Sequence, residues 1–283
     1  MPSSARHPAR RRRRFALLAQ LVAVVVAVGA AVTVVAEESS GPPDADRLAA
    51  EQVGPPPLVA GPLPVSADPS PSDAVPSSPP PVLRVPGAVP SAGTGRFGYD
   101  ARSGPVLGRA GELQRYRVAV ESGSGVDAAE FAQVVHEALA GPGSWVESGR
   151  LRLQQVAGAA PRDFTVYLAT ARTAGRMCAE GGVDIRVNGR PYTSCRAPGQ
   201  VIINLDRWRL SVPHFVSAGV PLAVYRTYVV NHEVGHQLGH RHERCPGKGR
   251  PAPVMMQQTL FLNGCRVNPW PYLDGRRYAG PAL

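Results

Sequence analysis

Cysteine is absent from the first 177 residues of this 283-residue chain, and lysine occurs once, at Lys248. The missing cysteines exclude a bacterial lipid anchor near the N-terminus and a propeptide of the cysteine-switch kind. Aromatic side chains make up only 6% of the sequence, and none falls between Glu37 and Gly93. That stretch instead holds fifteen of the 30 prolines, among them Pro55-Pro56-Pro57 and Pro79-Pro80-Pro81. Such runs favour polyproline II and cannot bury enough apolar surface to pack, so residues 37–93 read as a disordered linker. As a coil it reaches roughly 40 Å.

Arginine supplies all the other basic residues, and the formal net charge is +10. A GC-rich genome produces that bias, so part of the charge is codon usage. Residues 1–14 carry +6, residues 15–93 carry −5, and residues 94–283 carry +9. The basic residues are scattered and the linker is acidic, so no nucleic-acid partner is expected. An arginine-rich surface could still favour acidic partners.

Arg6 and Arg10 to Arg14 form a basic N-terminus, expected in the cytoplasm, followed by the uncharged run Phe15 to Ala36. As a helix those 22 residues would span about 33 Å, against a hydrocarbon core of roughly 30 Å. The expectation is a transmembrane signal anchor over 15–36, which makes the cytoplasmic membrane a partner and places the C-terminal domain outside. The alternative is a secreted protein, released by cleavage of a signal peptide after Val34-Val35-Ala36.

The chemistry-bearing stretch is His232-Glu233-Val234-Gly235-His236-Gln237-Leu238-Gly239-His240-Arg241-His242, which holds four of the seven histidines. On a helix, His232 and His236 lie about 40° apart around the axis and roughly 6 Å apart along it. Two such imidazoles can reach one Zn²⁺ at about 2.0–2.1 Å from each nitrogen. Glu233 then faces a water on the metal rather than ligating it. Both His240 and His242 are candidates for the third ligand. On an unbroken helix His240 would lie about 12 Å from His232 along the axis, too far to share an ion. Gly239 can adopt a left-handed conformation and reverse the chain. The reading therefore takes His232, His236 and His242 as the ligand set, with Gly239 as the turn.

The spacing H-E-x-x-H-x-x-G-x-x-H resembles the metzincin clan of zinc peptidases at His232, Glu233, His236, Gly239 and His242. Pro253-Val254-Met255-Met256-Gln257 resembles the clan's Met-turn, with Met255 the better candidate and Met256 the alternative. The run from His232 through Cys265 to Asn268-Pro269-Trp270-Pro271-Tyr272 is similar to a family of secreted or membrane-anchored bacterial metzincins without an assigned substrate. The resemblance implies an α+β fold: a metzincin-like zincin domain over 94–283 with a twisted mixed sheet, a packing helix, and an active-site helix followed by a Met-turn. It implies Zn²⁺ as cofactor, Glu233 as catalytic residue and a protein or peptide as substrate. Some metzincins add a tyrosine ligand just after the turn methionine, but Gln257 and Gln258 stand there. Glu243, directly after His242, resembles the astacin-like pattern.

Within that domain Arg115 to Glu121 alternates as a strand does. Asp127, with Glu130 three residues on, marks a helix start; the helix runs through Ala140 and buries Phe131, Val134, Val135 and Leu139. Strands follow at about 151–156 and 164–169. Val183 to Val187 leads into Asn188-Gly189, a hairpin signal. By resemblance the segment around 183–195 supplies an antiparallel edge strand for substrate, a structural hairpin being the equal alternative. Val201 to Leu205 reads as the strand before the active-site helix, which opens at Val220-Pro221 and buries Val224, Tyr228, Val229 and Leu238. His214 reads as a surface residue, and Arg207, Trp208 and Arg209 as structural or substrate-contacting.

Cys178, Cys195, Cys245 and Cys265 are even in number, which outside a membrane implies disulfides. Proximity favours 178–195 and 245–265 among three possible pairings. The sum of these expectations is a membrane-anchored, extracytoplasmic, monomeric zinc-dependent endopeptidase. Its rivals are a non-catalytic zinc-stabilised envelope module and a hydrolase of peptidoglycan cross-links.

Overall fold

A computed structural model describes residues 79–283. The basic N-terminus, the apolar run over 15–36 and most of the linker lie outside the described residues. Among the described residues no helix is long and apolar enough to cross a membrane. The expected single-pass topology, signal anchor and membrane partner thus have no spanning helix behind them among the described residues, and none of the three is carried further.

The strands are β1 (Phe97–Tyr99), β2 (Val106–Leu107), β3 (Glu112–Glu121), β4 (Leu151–Gln155), β5 (Phe164–Ala169), β6 (Arg186–Val187), β7 (Arg190–Pro191), β8 (Cys195–Ala197) and β9 (Gln200–Asn204). The helices are α1 (Ala128–Ala140), α2 (Ala171–Glu180), α3 (Leu205–Leu210), α4 (Pro213–Ser217) and α5 (Leu222–Gln237). Together they make an α+β domain on one twisted mixed sheet, ordered β2-β4-β3-β5-β9-β8 with β1 pairing β3. The β4–β3–β5–β9 interior is parallel, whereas β2, β1 and β8 join antiparallel. Parallel interior strands need cover on both faces, and β9 shows how that cover is shared. Val201 and Ile203 point into the main core with α1 and α5, whereas Ile202 packs with Ala174 and Cys178 of α2 on the opposite face.

Local chemistry sets the element ends. Asp127 Oδ1 accepts from the Ala129 and Glu130 amides at 2.8 and 3.1 Å, capping α1. Phe131, Val135 and Leu139 of this helix are buried, and Val134 packs half-buried against the same core. Asn188 and Gly189 have φ of 51° and 75°, the values a tight hairpin turn demands. That hairpin, β6–β7, stands as a separate two-stranded sheet, and the antiparallel edge of the main sheet is β8. Helix α2 between β5 and the hairpin was not expected from the sequence. Its buried face is small, made by Ala171, Thr173, Ala174 and Cys178, and the Cys178–Cys195 disulfide ties it to β8.

The chain joins the fold upstream of position 94. The Leu222 amide donates to Val82 O at 2.8 Å, Val85 N to Arg209 O at 2.8 Å, and Arg172 N to Ser91 O at 3.0 Å. This extended segment thus satisfies one of the free amides at the start of α5. Glu121, buried at the end of β3, accepts from Gly95 N, Thr170 N, Thr170 Oγ1 and Thr173 Oγ1 at 2.7–2.9 Å. It fastens the entering segment to the start of α2.

Candidate metal centre

Helix α5 carries His232, Glu233 and His236 on its last two turns. It ends in a Schellman motif: His240 N donates to Gly235 O at 2.9 Å and Gly239 N to His236 O at 3.1 Å. Gly239 has φ 92°, a conformation that side-chain-bearing residues rarely adopt. The reversal brings His242 back over the helix. Ligating nitrogens of His232, His236 and His242 all lie within 4.8 Å of one another, and His236 Nε2 stands 3.0 Å from His242 Nε2. Nitrogens sharing one zinc at about 2.0–2.1 Å each would be roughly 3.3 Å apart, so the spacing suits the ion.

Hydrogen bonds fix which nitrogens face inward. His232 Nδ1 lies 2.8 Å from Val254 O and His236 Nδ1 lies 2.8 Å from His240 O. A carbonyl oxygen can only accept, so both Nδ1 atoms carry the proton and both Nε2 lone pairs turn to the centre. Burial, reinforced by the neighbouring imidazoles, holds His232 well below the usual range and His242 at about 4. At His236 burial and the Arg196 charge outweigh the His240 carbonyl in the same direction. Three neutral imidazoles are the donor set a divalent zinc requires. The cluster forms a Zn²⁺ site.

Glu233 lines the same cavity of about 420 Å³ as the three histidines. Burial pushes its carboxyl up to about 8, and a dication beside it would pull it back toward the ionised form. The His232-Glu233-His236-His242 arrangement is a metzincin-type motif and a zinc-metalloenzyme active site, and it supports a zinc-dependent hydrolytic function.

Residues 84–273 match the family described as a protein of unknown function, DUF3152. The chain belongs to this family. Neither a curated protein nor a solved structure matches it. The family match covers α5, the turn after it and the loop beneath the histidines, so the metal centre lies wholly within the DUF3152 region.

His240 stays out of the cluster. Its ring stacks on Trp145 with centroids 4.3 Å apart, and the contact it makes with a ligand ring is through its carbonyl, to His236. Met255 packs beneath the site against Gly235, whereas Met256 faces a separate small cluster with Ala252 and Cys265. The Cys245–Cys265 disulfide brackets this loop. Tyr228 Oη donates to Met256 O at 3.1 Å, tying the loop to α5. Glu243 pairs with Arg277 at 2.8 Å and accepts from Gly280 N at 3.2 Å.

His214, expected at the surface, is half-buried, with Nε2 2.8 Å from Gln258 O. Arg207 is buried, donates to Ser211 O and lies over the Tyr192 ring at 4.2 Å; Trp208 packs edge-on against Phe131. Arg209 donates to Pro86 O at 3.1 Å. All three serve the fold. Sequence reasoning missed Trp145, Gly235, the Val254 carbonyl and Arg196. Only Gly235 carried a signal, as a glycine inside a helix that must end four residues later.

Proposed function

We propose that this protein is a zinc-dependent endopeptidase that hydrolyses peptide bonds, with Glu233 as its catalytic acid–base and His232, His236 and His242 as metal ligands. One observation carries the reading: the Glu233 carboxylate opens into the same cavity as three imidazoles whose unprotonated nitrogens converge. A zinc ion held there supplies Lewis-acid chemistry, polarising a carbonyl and acidifying a water. Glu233, which lines the same cavity, would accept a proton from an attacking water and return it to the departing amide nitrogen. Burial raises the Glu233 carboxyl's affinity for a proton, and a dication beside it would bring it back toward the ionised form that accepts one.

The strand β8 favours a peptide over a small molecule. It is the last strand in the sheet order, its outer edge has no strand partner among the described residues, and Ser194, Cys195 and Arg196 line the cavity. An extended peptide laid antiparallel along it would have its backbone amides paired as in a sheet. The full chain, reconstituted with zinc, is expected to bind about one ion and to cleave an unstructured protein. E233A and E233Q should keep the ion and lose cleavage by a factor of about 10² or more. Intact zinc content without turnover in the wild-type chain overturns the proposal.

A further inference from the structure

Arg196 lies on β8 in the metal cavity and is half-buried. Its Nε–H donates to Gln237 Oε1 on α5 at 3.1 Å, which holds the guanidinium plane. Among the described residues neither Nη atom has a protein hydrogen-bond partner, and no carboxylate forms an ion pair with Arg196. A guanidinium so fixed presents a ready fork to a planar carboxylate.

A larger cavity of about 920 Å³ adjoins this one, with Val183 and Asp184 lining both. That second cavity lies between α2 and the β6–β7 hairpin and is lined by Arg172, Arg176, Arg186 and Arg190 against Asp184 and Asp206. Asp184 is already occupied by Arg186, through contacts of 2.9 and 2.8 Å. Arg176 faces Glu180 only at 4.0 Å across exposed surface, and Arg172 and Arg190 have no ion-pair partner among the described residues. Four arginines against two aspartates make the surroundings of this adjoining cavity positive on balance.

We propose that Arg196 is a specificity-determining residue that receives a carboxylate of the substrate, and that the arginine groove beyond it selects peptides acidic on that side of the scissile bond. The inference rests on the peptidase reading for its site. It adds the class of substrate: peptides bearing glutamate or aspartate. A charge-assisted bidentate contact in a partly desolvated cleft supports a preference of about ten-fold or more, equivalent to about 1.4 kcal/mol.

The test uses two pools of random decapeptides, one with glutamate at fixed positions and one with glutamine there. Binding is read on the zinc-loaded full-length E233Q chain by fluorescence anisotropy, and cleavage on the wild-type chain by mass spectrometry. The glutamate pool should bind at least ten-fold more tightly, with the preference shrinking as salt is raised. R196M in the E233Q chain should bring the ratio of the two affinities toward one, R196K should restore part of it, and R172M/R190M should reduce it more mildly. In wild type the discrimination should appear mainly in KM. Equal binding of the two pools, or a ratio unmoved by R196M, overturns the inference. So does displacement of the glutamate pool by inorganic polyphosphate with the same potency in R196M as in its parent, the mark of a general polyanion surface. If wild type cleaves neither pool while E233Q still prefers glutamate, the peptidase reading fails and the acidic-peptide assignment stands.

Discussion

A Cβ placed on Gly235 would stand 2.4 Å from Met255 Sδ, and 2.6 Å from Cζ2 of Trp145. The glycine between the two helical ligands is thus the floor on which the Met-turn rests. Its lack of a side chain lets Met255 press against α5 directly below His232 and His236. The same Met-turn loop gives His232 its orienting carbonyl, from Val254.

Gly235→Ala sets helix propensity against crowding. Alanine gains up to about 1 kcal/mol in a helix interior, while forcing a methyl into this contact costs about 1–3 kcal/mol or more. Trp145 is locked by its hydrogen bond to Asn231 O at 2.8 Å, so it cannot simply move aside. The expected outcome is net destabilisation by about 1–2 kcal/mol together with weaker zinc binding. Chemical denaturation and metal titration check both; an alanine variant as stable as wild type would show that the loop yields freely.

His242 and His240 separate a ligand from its support. H242A should leave a two-histidine site and reduce zinc affinity by well over ten-fold, as loss of one ligand from three requires. H240A removes the stack on Trp145 but keeps the carbonyl that orients His236, so stoichiometric zinc should persist with a modest loss of affinity. Atomic-absorption zinc content after dialysis distinguishes the two, and an equal loss in both variants would contradict the ligand assignment.

Stability should fall on mild acidification through Glu121. Burial pushes its carboxyl up, but hydrogen bonds from Thr173, Thr170 and Gly95 outweigh that and hold it below its usual 4.5. A carboxyl depressed in the folded state contributes stability that is fully present above the unfolded value and lost as pH falls through the folded one. The loss therefore begins near 4.5 and continues below it. E121Q should cost roughly 2 kcal/mol or more at neutral pH and flatten the acid limb of stability against pH, measured by urea unfolding from pH 7 to 3.

Reduction of Cys245–Cys265 should loosen the metal site from below. Closing a loop over a sequence separation of 20 residues stabilises by about 3 kcal/mol in the chain-entropy model. Because the loop holds both Val254 and Met255, C245S/C265S should lower the thermal midpoint and weaken zinc binding together. C178S/C195S, which frees α2 from β8 instead, should lower the midpoint with less effect on zinc. Calorimetry with and without the metal reports the difference.

Several parts of this architecture can be read from short-range pattern. The Asp127 cap, the alternation along β3, the Asn188-Gly189 turn and the glycine that ends α5 each rest on chemistry within a few residues. Helix α2 is illegible because its buried face is made of alanine, threonine and cysteine, with Gly175 in its middle and exposed arginines at 172 and 176. Its place depends on a disulfide and on the far face of β9, not on periodicity. The 183–195 segment was ambiguous because a hairpin turn fixes local register but not which sheet the hairpin joins.

The sequence by itself determined the donor chemistry: two imidazoles one helical turn apart, an acid beside the first, a glycine to turn the chain and a third imidazole beyond it. These follow from helix geometry and from the conformations a glycine allows. Only the tertiary structure decided which methionine lies beneath the site, that Trp145 and the Val254 carbonyl support it, and that Arg196 faces the cavity. Those roles come from segments far apart in the chain, and a backbone carbonyl or an arginine carries no mark in sequence of what it will meet once the sheet and helices have packed.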